Sequence, residues 1–88
     1  MNYDFSNKTV LITGATRGIG KELANQLDSM SADLILTGTN NDEIERLNSL
    51  YSNRKYFVLD LESEDSINLF FSEIDKINKI DLCINNAG

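Results

Sequence analysis

Histidine and proline are absent, cysteine occurs once, and the 8 basic residues are outnumbered by 14 acidic ones. The missing histidine removes Ser-His-Asp hydrolysis and His-ligated zinc. Cys83 alone cannot form an intrachain disulfide, and no Cys/His cluster offers a metal site, so reducing cytoplasm is the expected location. A net charge of -6 argues against non-specific attraction to nucleic acid or anionic lipid, both of which require a basic face. No apolar run approaches the roughly 18 residues of a membrane span, and Met1 to Lys8 holds no basic segment followed by an apolar one. Neither nucleic acid nor membrane is therefore an expected partner. The lack of proline fits a compact run of short connections.

What is present is an ordinary globular composition, 41% hydrophobic and 25% charged over 88 residues, enough for one small domain. Short apolar runs alternate with segments of helical period. Thr9 to Thr13 is a continuous β-rich run ending at Gly14, the profile of a strand buried on both faces. Ile19, Leu23, Ala24, Leu27 and Met30 then fall at helical spacing, so a helix beginning near Gly18 is expected to lay that stripe on a sheet. Leu34 to Thr37 reads as a second strand, and Ile44, Leu47, Leu50 and Tyr51 as a second stripe. Asn40 or Asn41 would cap that helix, with Asp42 and Glu43 in its first turn. Tyr56 to Leu59 is a third strand. Ser63 caps a third helix, with Ile67, Phe70, Phe71, Ile74 and Ile77 as its stripe, after the acids Glu62, Glu64 and Asp65. Leu82-Cys83-Ile84 is a fourth strand, in which Cys83 is expected to be buried as a small apolar residue. The order β-α-β-α-β-α-β predicts a parallel sheet with helices on its faces, half of a doubly wound α/β fold.

Gly14-Ala15-Thr16-Arg17-Gly18-Ile19-Gly20 lies between the first strand and the first helix. Glycines there allow a tight turn, close approach of backbone to a ligand and close packing of helix on strand. The helix start adds unpaired amides and a partial positive charge suited to an anion such as a dinucleotide pyrophosphate. A P-loop requires Gly, four residues, then Gly-Lys-Ser/Thr, so that a hydroxyl reaches magnesium. Here Gly20-Lys21 fits, but Ala15 stands at the first glycine position and Glu22 at the hydroxyl position, so that reading fails twice.

The spacing Gly-x-x-x-Gly-x-Gly from Gly14 to Gly20, with Asn85-Asn86-Ala87-Gly88 after the fourth strand, resembles the short-chain dehydrogenase/reductase family. Asp60-Leu61 after the third strand is similar to that family's adenine-contacting position. The resemblance covers the whole chain. It is strongest toward bacterial 3-oxoacyl-acyl-carrier-protein reductases, while sugar, steroid and secondary-alcohol reductases share these segments. It implies a Rossmann-type NAD(P)-binding domain over residues 1–88, in its N-terminal β-α-β-α-β-α-β portion only. It further implies that Gly14, Ala15, Thr16, Arg17, Gly18, Ile19 and Gly20 wrap the pyrophosphate and adenosine ribose. By the same resemblance Asp60, with Leu61 beside it, accepts from the adenine amino group, and Asn86, Ala87 and Gly88 line the cofactor near its riboses. On the residues alone, Asp60 also reads as a solvated strand end, and Asn85 and Asn86 as a turn.

Cofactor choice follows from charge. NAD-selecting folds carry an acid near the end of the second strand for the ribose 2'-hydroxyl. Thr37-Gly38-Thr39-Asn40 has none, and no carboxylate precedes Asp42, so a 2'-phosphate is expected to go unrepelled. Arg17 is expected to meet that phosphate through a charge-assisted hydrogen bond, with Thr39 adding a hydroxyl, which favours NADP(H) over NAD(H).

The Ser, Tyr, Lys and additional Asn that the family uses for hydride transfer all follow the Asn-Asn-Ala-Gly motif, so no catalytic residue is assigned in this chain. Tyr51 and Lys55 mimic the spacing of Tyr-x-x-x-Lys outside its structural context. The fourth strand is expected to offer an uncovered edge for self-association. The leading expectation is the cofactor-binding fragment of an NADP(H)-dependent carbonyl reductase. The alternatives are a non-catalytic nucleotide-binding or association module, and a truncated product without function.

Overall fold

The computed structural model describes residues 4–77 and 79–86. Four strands, β1 (Thr9–Ile12), β2 (Asp33–Gly38), β3 (Arg54–Val58) and β4 (Leu82–Ile84), alternate with three helices, α1 (Gly18–Ser29), α2 (Asn41–Leu50) and α3 (Glu64–Ile74). All strand pairs are parallel, in the order β3-β2-β1-β4. Leu11 aligns with Ile35 on one side and Cys83 on the other, and Thr37 aligns with Phe57. The expected β-α-β-α-β-α-β order is thus observed, with each strand within a residue or two of its expected bounds.

Side chains alternate across the pleat and divide the core into two layers. Val10, Ile12, Leu34, Leu36 and Tyr56 point to the face covered by α1 and α2, through Ala24, Leu27 and Ile44. Leu11 and Ile35 point to the other, where Leu59 and Phe70 of α3 meet them. The first two crossovers step from β1 to β2 to β3, and the third returns past β1 to β4, so α3 lies on the opposite face from α1 and α2. Asn40 caps α2, its side chain accepting from the Glu43 amide at 2.9 Å, and the Ser63 hydroxyl accepts from the Ser66 amide at 3.2 Å to start α3.

Four expected core positions are instead exposed. Ile19 is 73% exposed, because consecutive helical residues point about 100° apart and Gly20 takes the place against the sheet. Phe71 is 59% exposed for the same reason: Phe70 occupies the stripe with Ile67 and Ile74. Leu50, about 120° from Ile44 around α2, is also exposed. Cys83 is exposed, as is Leu82, because β4 has a strand neighbour on one side only and α3 packs over Leu11, Ile35 and Leu59 instead.

A buried cation that periodicity did not mark ties the edge strand β3 to α1. Arg54 is 8% exposed; its guanidinium donates to Asp28 at 2.7 Å, to Asn25 at 3.0 Å and to the Tyr56 hydroxyl at 3.1 Å. It also lies 4.1 Å from the centre of the Tyr51 ring. These bonds raise its pKa against the opposing effect of desolvation, the largest single influence on it. Lys55 faces the other side of the sheet, so Tyr51 and Lys55 are not neighbours across a site. Removing Arg54 strands Asp28, and Arg54→Met is expected to cost about 3 kcal/mol of unfolding free energy, read by urea denaturation.

At the start of β4, the Thr9 amide donates to the Asp81 carboxylate at 2.8 Å, and Lys79 approaches it at 3.1 Å. The amide first and Lys79 second hold the Asp81 pKa below its ordinary 3.8. A depressed carboxylate contributes stability above its unfolded pKa and loses it as pH falls through the folded one. Asp81→Asn is therefore expected to lower the melting temperature at pH 7, with the difference from wild type closing below about pH 3.8.

Candidate dinucleotide site

The carboxyl ends of β1 and β4 lie where the strand order reverses, the place at which open parallel sheets form a ligand crevice. The glycine turn leaves β1 here. Gly14 and Gly18 adopt φ of 63° and 61°, in the left-handed region that side chains with a Cβ resist. Thr37, buried in β2, pins the turn twice: its hydroxyl accepts from the Gly14 amide at 3.1 Å and its carbonyl from the Ala15 amide at 2.8 Å.

From the other side, the Asn86 amide donates to the Thr13 hydroxyl at 3.0 Å and its side chain donates to the Gly14 carbonyl at 3.0 Å. The Thr13 hydroxyl donates to Asn85 at 3.1 Å. The same Gly14 carbonyl lies where a Cβ on Gly20 would have to go, so the first turn of α1 is seated directly on the glycine turn. Three segments thus converge on one backbone oxygen.

The helix starts differ in what they leave open. α2 and α3 have side-chain caps and acids in their first turns, Asp42 with Glu43 and Glu64 with Asp65. α1 begins after an extended Arg17 with no side-chain cap and no first-turn acid. Its amides and positive dipole end face the glycine turn without a competing carboxylate in the first turn. Among the described residues, the space above Gly18 is open, since a Cβ there would meet nothing within 4 Å. These features fit an anionic pyrophosphate.

Of the other expected site residues, Ala15 is buried, Thr16 half-buried, and Arg17, Ile19 and Thr39 are exposed around the mouth. Asp60 is half-buried beyond the end of β3; its carboxylate accepts from the Glu62 amide at 3.0 Å and its own amide donates to Ser66 at 2.9 Å. Leu61 is exposed. Asn86 joins the turn, whereas Ala87 and Gly88 lie outside the described residues.

Two residues escaped the sequence reading. Thr37 was legible only as a strand residue, because its double anchorage depends on the register of β2 with β1. Glu43 lies 3.8 Å from the Arg17 guanidinium, so although no carboxylate precedes Asp42 after β2 along the chain, one stands beside Arg17 in space. The signal was its place in the first turn of α2, which counting forward from β2 did not connect to Arg17.

Parallel strands, a reversal in strand order and a glycine turn into an uncapped helix together define a dinucleotide-binding fold. The sequence profile of the short chain dehydrogenase family matches residues 8–88, and the chain belongs to that family, whose members bind nicotinamide dinucleotides. It is 38% identical over 95 residues to the 3-oxoacyl-acyl-carrier-protein reductase of Aquifex aeolicus, covering 100% of this chain and 38% of that protein. Against the corresponding reductase of Buchnera aphidicola from Acyrthosiphon pisum, identity is 41%, with 97% of this chain and 36% of the relative covered. Among solved structures, a putative betaketoacyl-ACP reductase superposes with a TM-score of 0.79 at 28% identity, covering 97% of this chain and 35% of that one. The Pseudomonas aeruginosa RhlG/NADP active-site complex gives 0.79 at 26% identity, with 99% and 36% covered. The chain therefore spans about a third of the length of the curated relatives it matches.

Gly20→Ala sets a gain in helix propensity of about 1 kcal/mol against a Cβ forced into backbone. Backbone cannot move aside as a side-chain tip can, so an overpacking cost at or above about 3 kcal/mol, the upper end of the usual range, is expected to outweigh that gain. The check is a lower denaturation midpoint in urea.

Proposed function

We propose that this chain forms the cofactor-holding part of an NADP(H)-dependent carbonyl reductase of the 3-oxoacyl-acyl-carrier-protein type. The observation that carries the reading is the uncapped start of α1 seated on a glycine turn at the sheet's switch point. The relatives' names support the reductase type, and the NADP complex of the P. aeruginosa protein supports the phosphorylated cofactor.

In this reading the amides of Gly18, Ile19 and Gly20 hold the pyrophosphate, and Ala15 and Thr16 line the adenosine ribose. Arg17 and Thr39 take the 2'-phosphate, Asp60 with Leu61 bounds the adenine, and Asn86, Ala87 and Gly88 approach the riboses. The bound dinucleotide supplies the hydride that reduces the carbonyl. This chain's own part is to bind and orient: Thr37 and Asn86 fix the turn, and with it the start of α1, before the ligand arrives. The exposed Leu82 and Cys83 support association through the β4 edge, with the rest of a longer reductase or with a second copy.

Titration with NADPH and NADH, followed by cofactor fluorescence, tests the binding role. Tighter binding of NADPH is expected, weakened about tenfold by Arg17→Ala through loss of a charge-assisted hydrogen bond, while NADH changes by less than half as much on a logarithmic scale. Equal loss for both cofactors would remove the preference for NADP(H), and no binding of either by a folded chain would remove the site.

A further inference from the structure

We infer that Glu43 sets the strength of the preference for the 2'-phosphorylated dinucleotide, acting through Arg17. The inference rests on the dinucleotide reading above and adds a residue to it. Glu43 is turned toward Arg17 by the first turn of α2, whose start is held independently by Asn40 capping the Glu43 amide. Its carboxylate lies 3.8 Å from the guanidinium, and its side chain is only 28% exposed, against 81% for Arg17. Arg17 is thus the solvent-facing partner and Glu43 the more enclosed one.

The same carboxylate lines a cavity of about 170 Å³ between α1 and α2, beside Thr16, Lys21 and Arg46. This corner is locally basic although the chain carries a net charge of -6. A 2'-phosphate held by Arg17 beside this cavity has Lys21 and Arg46 as further attractive charges and Glu43 as the opposing one. Before binding, Glu43 occupies Arg17; afterwards it remains a few ångströms from a group with a charge near -2. A dinucleotide with a bare 2'-hydroxyl carries no such charge, and a side-chain oxygen at position 43, of Glu or Gln alike, can accept from that hydroxyl rather than repel it. The carboxylate therefore weakens one cofactor selectively, which makes it a positioning and selectivity residue.

The test is Glu43→Gln, which keeps the shape of the side chain and leaves the backbone cap from Asn40 in place, titrated with NADPH and NADH at low and high salt. Expected is an NADPH Kd about threefold to tenfold lower than wild type at low salt, the range for one charge a few ångströms from a phosphate in high dielectric. The gain should shrink at high salt, NADH affinity should stay within about twofold, and an Arg17→Ala background should lose most of the gain. A merely structural role for Glu43 would move both cofactors together and alter the melting temperature. An unchanged NADPH Kd, or equal shifts for the two cofactors, overturns the inference while leaving the dinucleotide site standing. Failure of the folded wild-type chain to bind either cofactor overturns the site itself, and the inference with it.

Discussion

The carbonyl oxygen of Gly14 and the two polar atoms of Thr37 form the constraint around which this molecule is arranged. Thr37 accepts from two successive amides of the glycine turn, so the turn is held by the neighbouring strand before any ligand contributes. The Gly14 carbonyl accepts from Asn86 and leaves no room for a Cβ on Gly20, which brings β4 and α1 to the same point. Parallel pairing makes this possible: β2, β1 and β4 all end on the same side of the sheet, so their terminal polar groups meet there.

A second consequence is the division between a buried polar network at one edge and an open one at the other. Beyond β2, the β3 edge is tied to α1 through Arg54 with Asp28 and Asn25, and to α2 through Asn48, whose side chain pairs with both backbone groups of Tyr56. The opposite edge, β4, has three residues and leaves Leu82 and Cys83 exposed. Where the core is thin, hydrogen bonds fix geometry that apolar packing alone leaves loose.

Much of the fold was legible in the residues. Val10-Leu11-Ile12 and Leu34-Ile35-Leu36 are apolar on both faces, as strands covered by helices on both sides must be. Asn40 and Ser63 marked two helix starts through capping chemistry that acts over three residues. The glycine spacing marked the turn for the same local reason. Exposure was harder to read: Ile19, Leu50 and Phe71 lie one step off the buried stripe, and a 100° advance per residue is below what a list of apolar positions resolves. Cys83 was misjudged because its cover depends on how many elements flank β4, which three residues of strand do not encode.

By itself, then, the sequence determined the order of elements, their caps, the glycine turn and the family, because each is written in contacts between residues close along the chain. Only the tertiary structure decided that Thr37 holds the turn, that Asn86 reaches back over 72 positions to Gly14, that Arg54 is buried against Asp28, and that Glu43 stands beside Arg17. Those relations depend on strand register and on which helices share a face of the sheet. Both are set by packing the whole chain at once.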